Sequence, residues 1–333
     1  MTEAVTQAQS AYSAVRDGGA GLIDLSSRGR ILVSGADAVM FLNGLVTNDV
    51  KTLAVNSSIA AAFANVQGRV LASIRIIHRA DGFLIDTEAA THERVFRLLE
   101  RFTLAGDFHV RDLSNETATL SLQGKGTIDL VQSEFGLGQD LKRGTIFPTP
   151  DGLEILPATH SAEAGFDIFM AATHALRWRD KLVERGAVLV DQATEEVLRI
   201  EAGIPRYDVD MDENTVLNET NLDDAISFTK GCYTGQEIVI RIKHRGHVAK
   251  KLAGVVLEDE TPVAPGASIL AETGDTIGRI TSVSMSPRLA RTIALGYVKY
   301  DYLAAGTKVR IDDTTGTVRL LPFIRGSWYE SIA

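Results

Sequence analysis

The amino-acid sequence predicts an α+β fold with two related halves, followed by a small β-barrel. Up to about residue 106 the predicted elements run in the order strand, helix, strands, helix, and similar material begins again near residue 107. Beyond Val248 the chain changes to short β-rich segments separated by Gly, Pro and Asp turns, a pattern typical of a small barrel. We therefore divide the chain into residues 1–247, the α+β part, and residues 248–333, the barrel.

The elements of the first half are predicted from periodicity and turn residues. A helix rich in alanine is expected over residues 1–20. A second helix, capped by Thr91, is expected because apolar residues recur at i, i+3, i+4 and i+7 from Val95 to Phe102. A further helix is expected over residues 36–42. Strands are expected at residues 30–35, 60–65, 69–78 and 83–86.

A weak internal repeat relates the second half to the first. Superposing Gly124 on Gly35 also matches three pairs of apolar residues around them, although apolar patterning alone can produce such a match. Strands are expected at residues 108–112, 118–122 and 166–170, and helices at 127–135, 175–184 and 194–202. Asp191 is a plausible N-cap of the last helix. Barrel strands are expected at residues 252–257, 267–271, 276–283, 292–298, 307–311 and 317–321.

Composition bounds the class of protein. A length of 333 residues suggests two or three domains, and 45% hydrophobic with 23% charged residues is typical of a globular chain. No apolar run reaches the roughly 20 residues of a membrane span, and the N-terminus lacks the features of a secretory signal. A single cysteine excludes an internal disulfide, so we expect a cytoplasmic protein. The net charge of −9 argues against nucleic-acid and anionic-membrane partners.

Several common active-site motifs are absent. There is no Gly-x-Ser-x-Gly and no His-Glu-x-x-His, and the Gly124-Lys-Gly126 segment lacks the rest of a phosphate-binding loop. His244 and His247 have no supporting carboxylate nearby in the chain, so no metal site is expected. These absences remove the commonest hydrolase interpretations.

The segment from Lys230 to Glu237, Lys-Gly-Cys-Tyr-Thr-Gly-Gln-Glu, carries the only cysteine. Cys232 lies between two glycines, follows a lysine and precedes a predicted helix start. A nearby cation and a helix N-terminus both favour a thiolate, which makes Cys232 a candidate reactive thiol with Lys230 as its partner. The alternative is a buried cysteine that acts as a small hydrophobic residue.

A basic run follows the cysteine. Between Lys230 and Lys251 there are six basic residues against one acidic residue, Glu237. The run predicts either a local anion site or a solvated basic face. The six residues are Lys230, Arg241, Lys243, Arg245, Lys250 and Lys251.

Glu201 is a second candidate, in the last turn of the helix that ends at Gly203 and Pro205. A carboxylate there opposes the helix dipole and needs compensation. Arg199 or Arg206 could supply it. A ligand with two adjacent N–H donors could also do so, because a carboxylate accepts such a pair bidentately.

The Lys230–Glu237 segment resembles the signature of the YgfZ proteins, the folate-binding relatives of the glycine-cleavage T protein. The resemblance covers almost the whole chain. Its other blocks, which belong to the wider superfamily, are residues 24–26, 33–38, 41–49, 199–205, 218–222, 278–282 and 294–298.

The resemblance implies two interleaved ferredoxin-like lobes and a C-terminal β-barrel, arranged as a cloverleaf around a central folate channel. It implies tetrahydrofolate, or a one-carbon derivative, as the cofactor and a role in assembling or maintaining iron–sulfur enzymes. The implied partners are iron–sulfur proteins or their assembly factors. Glu201 falls where the superfamily has its pterin carboxylate, and Lys230 and Cys232 match the Lys-Gly-Cys motif. The further cofactor-binding residues implied are Asn48, Arg206, Tyr207, Tyr233, Gln236 and Arg241.

The chain departs from the T-protein pattern at one place. Where those proteins have an Asp-Asp pair that assists one-carbon transfer, this sequence has Ala72 and Ser73. The leading hypothesis is therefore a folate-binding accessory protein for iron–sulfur enzymes that uses the Cys232 thiol. The alternatives are a folate-dependent aminomethyl- or methyltransferase that uses another acid, and a non-catalytic interaction scaffold.

Overall fold

The computed structural model describes residues 2–259 and 261–331, which form two sheets with helices packed on them and a barrel. The first sheet has the strand order β3-β4-β5-β2-β6. Its strands are β2 (Gly29–Ser34), β3 (Ser57–Ala64), β4 (Val70–Arg79), β5 (Gly82–Thr87) and β6 (His109–Asp112). Helices α2 (Ala38–Leu45) and α3 (Ala89–Glu100) follow β2 and β5 in the chain.

The second sheet has the order β11-β1-β7-β10-β9-β8. Its strands are β1 (Gly21–Asp24), β7 (Thr117–Gln123), β8 (Phe147–Pro148), β9 (Glu154–Pro157), β10 (Gly165–Ala171) and β11 (Val188–Leu189). Helices α1 (Thr2–Arg16), α4 (Thr127–Phe135), α5 (Ala175–Glu184) and α6 (Gln192–Glu201) accompany it. Strand β1 precedes the first sheet in the chain but pairs in the second, so the two sheets are not built from successive halves of the sequence.

The C-terminal strands close into a six-stranded antiparallel barrel, as the sequence predicts. The barrel strands are β12 (Lys250–Leu257), β13 (Ser268–Leu270), β14 (Thr276–Ser286), β15 (Arg291–Lys299), β16 (Lys308–Ile311) and β17 (Thr314–Arg319). Helix α7 (Gln236–Arg245) precedes the barrel and α8 (Trp328–Ser331) follows it. Four short 3-10 turns lie at Ala172–His174, Leu217–Glu219, Asp223–Ala225 and Tyr300–Tyr302.

Each sheet buries one face under helices, because alternate residues of its strands are apolar. In the first sheet Ile74 and Ile85 pack on Val95 and Leu99 of α3. The other faces of the two sheets meet through a smaller apolar cluster that includes Ile77 of β4 and other residues of both sheets. This packing brings the two sheets face to face and determines which polar side chains meet between them.

Two predicted boundaries need correction. Helix α3 begins at Ala89, so Thr91 is not its N-cap; the Thr91 hydroxyl lies 2.7 Å from the Thr87 hydroxyl, inside the packed core. The N-terminal helix ends at Arg16 and not near residue 20. By contrast, the Asp191 cap of α6 is confirmed, since its carboxylate accepts a hydrogen bond from the Thr194 amide at 2.7 Å.

Within the described ranges, no helix has the length and apolar content needed to cross a membrane.

Candidate functional site

The carboxylate of Glu201, the predicted pterin ligand, is enclosed at the end of α6. Tyr12 donates a hydrogen bond to Oε1 at 2.8 Å, and Arg16 donates two to Oε2, at 3.0 Å from Nε and 2.7 Å from Nη2. Ser286 of β14 also donates to Oε1. The Glu201 side chain has no exposed area. Its unfavourable position against the helix dipole is therefore offset by Arg16.

The two arginines considered as partners of Glu201 bind other carboxylates. Arg199 pairs with Glu196 and, at 2.6 Å, with Asp210. Arg206 pairs with Glu196 at 2.9 Å. Glu201 thus joins α1, α6 and the barrel, and its contact with a cofactor stays a prediction.

The ammonium of Lys230 is directed at the C-terminus of α2. It donates hydrogen bonds to the backbone carbonyls of Asn43 at 2.6 Å, Val46 at 2.9 Å and Asn48 at 2.7 Å, which uses all three of its N–H donors. Burial lowers the pKa of Lys230 to about 8, so the group is mainly a cation at neutral pH. Lys230 therefore fastens its loop to α2, and its catalytic partnership with Cys232 stays a prediction.

Cys232 is exposed and carries a free thiol, so the interpretation as a packed cysteine is wrong. Helix α7 starts at Gln236, as predicted, directly after Gly235. Gly235 has a φ of +85°, and a Cβ at this position would lie 2.4 Å from the carbonyl oxygen of Asn65. Only glycine fits there without movement of the neighbouring loop.

The other predicted cofactor residues of this region have different environments. The side-chain amide of Asn48 donates to the carbonyls of Ala60 and Asp224, at 2.8 and 3.0 Å. The ring of Tyr233 lies 5.2 Å from the Lys230 ammonium, and burial raises the pKa of its phenol to about 12. The Tyr233 hydroxyl has no hydrogen-bond partner among the described residues.

The basic run does not converge on one site. Arg241 and Lys243 are exposed on α7, whereas Lys250 and Lys251 belong to β12. The side chain of Arg245 lies outside the described part. Arg241 lines an open groove of about 660 Å³ on the outer face of α7. A solvated basic face, the alternative considered, therefore describes Arg241, Lys243 and Lys250 better than one anion site does, whereas Lys230 is buried.

The structure brings together a second group of residues that sequence reasoning missed. Arg28, Arg75, Asp86, His160 and Asp167 form a chain of ion pairs between the two sheets, which we call the central charged cluster. Arg28 binds Asp86 through two hydrogen bonds of 2.9 and 3.1 Å. Arg75 joins Asp86 at 3.0 Å to Asp167 at 2.5 Å, and His160 lies 3.1 Å from Asp167.

The two aspartates of the central charged cluster are held as anions. Burial alone would raise the pKa of Asp86, but Arg28 and Arg75 hold it below its usual range. Burial acts in the same direction on Asp167, and His160 and Arg75 overcome it, which lowers its pKa. Both groups are therefore fixed charges that orient their neighbours.

Two glutamates beside this cluster behave in the opposite way. Burial raises the pKa of Glu88, although Arg28 opposes the shift. It also raises the pKa of Glu195, against the opposing charges of His160 and Arg206. Both side chains are half-buried. The cluster therefore adjoins two carboxyl groups that can change protonation state closer to neutral pH than ordinary glutamates.

Water reaches this interior region. The side chains of Arg28, Arg75 and His160 remain 21%, 18% and 24% exposed although they lie at the junction of the two sheets. A cavity of about 590 Å³ lies at the junction of α6, the second sheet and the barrel. Thr159 and Pro205 line it, and these residues precede His160 and Arg206 in the chain. The residues that line this cavity include no member of the central charged cluster, so the partial exposure of Arg28, Arg75 and His160 is the evidence that solvent reaches the cluster.

The predicted cofactor residues divide among three places. Arg206 lies at the central charged cluster, and the backbone amide of Tyr207 donates to Glu88 Oε2 at 3.0 Å there. The Tyr207 hydroxyl accepts a hydrogen bond from Arg94. Glu201 belongs to the α1 contact described above. Asn48, Lys230, Cys232, Tyr233, Gln236 and Arg241 lie on or beside the loop before α7 or on α7 itself.

One sequence signal could have identified the cluster. Arg75 and Asp86 interrupt strand segments whose neighbours are apolar, in Ile74-Arg-Ile-Ile77 and Leu84-Ile-Asp86. Charged residues are rarely buried unless paired, so their presence in such strands indicates either a partner or a ligand.

The fold and this arrangement of sites define a protein of the glycine cleavage T-protein class. Residues 2–230 match the GCVT N-terminal domain, and residues 250–323 match the glycine cleavage T-protein C-terminal barrel domain. The chain therefore belongs to the glycine cleavage T-protein family.

Proteins named aminomethyltransferase are among its relatives. One from Rubrobacter xylanophilus is 32% identical over 309 residues, covering 91% of this chain and 82% of the relative. One from Halothermothrix orenii is 29% identical, covering 91% and 88%. A putative chloroplastic transferase of Arabidopsis thaliana is 26% identical, covering 92% and 72%.

A solved structure has the same fold. The crystal structure of the glycine cleavage system aminomethyltransferase T from Bartonella henselae superposes with a TM-score of 0.86 at 24% identity, covering 95% of this chain and 89% of that one. The likeness supports the two-sheet α+β architecture with a closed barrel.

Proposed function

We propose that this chain is a folate-dependent one-carbon transferase, of the aminomethyl- or methyltransferase type, which binds tetrahydrofolate beside the central charged cluster. The observation that carries the proposal is the pair of half-buried carboxyl groups, Glu88 and Glu195, beside the partly exposed side chains of the central charged cluster in a glycine cleavage T-protein family member. Relatives named aminomethyltransferase support the reaction type.

The side chains present suit tetrahydrofolate. The pterin edge offers a ring N–H beside an amino group, and a carboxylate is the group that accepts such a pair. Arg28 and Arg206 face the same carboxyl groups and add positive charge beside them. When bound, tetrahydrofolate supplies the nitrogen that carries the one-carbon unit.

We assign the pterin carboxylate to Glu195 in preference to Glu201. Glu195 is half-buried and faces His160 and Arg206, whereas Glu201 is fully buried and already accepts hydrogen bonds from Arg16. A ligand can therefore reach the first group without breaking a buried ion pair.

The test is a calorimetric titration with tetrahydrofolate of the wild-type protein and of Glu195→Gln, Glu201→Gln and Glu93→Gln. Glu93 lies on the exposed face of α3 and forms an ion pair with Arg97 four residues on, so its substitution is the matched control. Glu195→Gln should weaken binding about 10-fold or more, the equivalent of one charge-assisted hydrogen bond. Glu201→Gln and Glu93→Gln should bind as the wild type does.

Two results would contradict these assignments. A folded wild-type protein that does not bind tetrahydrofolate would remove folate from the account. Weaker binding by Glu201→Gln alone would return the pterin to Glu201. If tetrahydrofolate binds, the next assay measures release of ammonia from an aminomethyl donor. Release that depends on tetrahydrofolate would support the transferase, and its absence would favour an interaction scaffold with an inactive pocket.

A second candidate function is suggested by the exposed thiol of Cys232. A free thiol on a loop between glycines can bond to a partner, and YgfZ-type accessory proteins for iron–sulfur enzymes share its Lys-Gly-Cys motif. Under this proposal the folate site is retained, and the partners are iron–sulfur proteins or their assembly factors.

Cys232→Ser in cells that depend on this chain distinguishes the two functions. Loss of iron–sulfur enzyme activity with unchanged tetrahydrofolate binding would favour the accessory role. Normal iron–sulfur enzyme activity in these cells would exclude a thiol-dependent accessory role.

A further inference from the structure

The register of the first sheet places Glu88 opposite Ser73. Strands β4 and β5 are antiparallel, with Ile74 paired to Thr87 and Arg75 to Asp86. Glu88 follows β5 with extended backbone angles, φ −61° and ψ 148°, so the next pair in the same register is Ser73 with Glu88. Directly opposed residues of an antiparallel pair point to the same face of the sheet.

That face is the one turned toward the second sheet. Arg75 and Asp86 lie on it, because Arg75 bonds Asp167 of β10. Side chains two residues apart on a strand share a face, so Ser73 and Glu88 lie on the same face as Arg75 and Asp86. The opposed pair Ser73 and Glu88 therefore places one carboxyl group on this face, and Glu88, directly after β5, supplies it.

The Glu88 carboxyl is held in place but is not locked in an ion pair like those of the two cluster aspartates. Its Oε2 accepts the Tyr207 amide at 3.0 Å, and a carboxyl group has capacity for further hydrogen bonds. The charged groups that face it are Arg28, Arg199 and Arg206. Glu88 is therefore a positioned, half-buried carboxyl whose proton can be exchanged with a neighbouring group.

We propose that Glu88 is the carboxyl group that exchanges a proton with the ligand beside the central charged cluster. It follows β5, and the residue opposite it on β4, Ser73, offers only a hydroxyl group. This inference rests on the proposed function, because the amine that exchanges its proton with Glu88 belongs to the bound folate. Glu88 would hold the proton on its carboxyl oxygen, while Asp86 and Asp167 remain ionised.

The first experiment measures tetrahydrofolate binding between pH 5 and pH 8 for the wild type, Glu88→Gln and the control Glu93→Gln. If the ionised carboxyl accepts the ligand N–H, wild-type affinity falls as pH drops through the pKa of Glu88, by up to about 10-fold per pH unit. Glu88→Gln should lose the part of this dependence that Glu88 contributes and keep only the part from Glu195, whose pKa is also raised by burial, whereas Glu93→Gln should keep the full dependence. The Ser73→Asp/Glu88→Gln double variant moves the carboxyl across the strand pair and should restore at least part of it.

The second experiment does not need the ligand. The pKa of Glu88 is higher in the folded protein than in the unfolded chain. As pH rises, the carboxyl group therefore ionises first in the unfolded chain, and the folded state loses stability relative to it. The melting temperature of Glu88→Gln should therefore exceed that of the wild type by more at pH 8 than at pH 5.

The outcomes are separable. A wild-type protein that does not bind tetrahydrofolate refutes the proposed function. The proton-exchanging character of Glu88 is then judged on the melting data, and equal pH profiles for wild type and Glu88→Gln overturn it. If wild type binds and Glu88→Gln keeps the full pH dependence of affinity, this inference fails and the proposed function stands.

Discussion

Substitution of Glu201 by glutamine distinguishes a structural carboxylate from a cofactor ligand. The Glu201 carboxylate accepts two hydrogen bonds from Arg16, at 3.0 and 2.7 Å, and neither side chain is exposed. Breaking a buried ion pair by removing one partner costs about 3–5 kcal/mol. Arg16 keeps Glu163 at 3.0 Å, so we expect the lower end, about 3 kcal/mol.

This free energy corresponds to a measurable shift. With an unfolding entropy of about 2.1 cal/mol/K per residue, the 333-residue chain should melt about 4 °C lower if it unfolds as one unit. The assay is thermal denaturation followed by circular dichroism, together with the calorimetric titration described above. Arg16→Gln should show a similar loss, since it leaves the Glu201 carboxylate buried without its cation.

The double variant Arg16→Leu/Glu201→Leu is the control. Replacing both partners by apolar groups removes the unpaired charge, so the double variant should recover much of the loss of either single variant. An unchanged melting temperature for Glu201→Gln, together with lost tetrahydrofolate binding, would refute the structural role and support the original pterin prediction.

Three further predictions concern the loop and the cluster. Lys230→Met should lower the melting temperature by several degrees, because three carbonyls at the end of α2 lose their hydrogen-bond donor. Cys232→Ala should leave the melting temperature unchanged. Equal effects of the two substitutions would contradict the role of Lys230 in fastening the loop to α2. Asp167→Asn should lower the free energy of unfolding by about 3 kcal/mol at pH 7. The difference from the wild type should shrink below about pH 4, because the depressed pKa of Asp167 gives stability that is lost on protonation. A constant difference from pH 7 to pH 2 would contradict this role of the Asp167 carboxylate. Gly235→Ala should be destabilising by more than 1 kcal/mol, and Gly231→Ala should be tolerated, since a Cβ has open space only at the second position; urea denaturation of both variants compares them.

The sequence predicted elements whose signal is local. The helix after Asp191 was predicted because the cap, the apolar period and the terminating Gly203 and Pro205 are contiguous, and α6 occupies Gln192–Glu201. The barrel was predicted because each short strand is bounded by its own turn residues. The misplaced start of α3 has a local cause too. Thr91 has the character of a cap residue, but Glu88 occupies the cap position and the Thr91 hydroxyl bonds within the core.

The central charged cluster could not be predicted in the same way. Its members lie on β4, β5, β10 and two loops, and Arg28 and Asp167 are separated by 139 positions. The pairing depends on how the two sheets face each other, which no local pattern encodes. Sequence reasoning also paired Lys230 with Cys232 because they are two residues apart, whereas the ammonium reaches a helix end 182 to 187 positions away.

The geometry of Lys230 has a consequence for the exposed thiol. The Lys230 ammonium is buried and uses all three of its donors on backbone carbonyls at the end of α2. Removing this cation from water costs free energy. The three hydrogen bonds offset this cost and hold the loop against the end of α2. Gly235 restricts the same loop from its other end, by its close approach to Asn65. Cys232 lies between these two contacts with its side chain exposed, so the chain presents the thiol from a loop held at both ends and not among the carboxyl groups beside the central charged cluster.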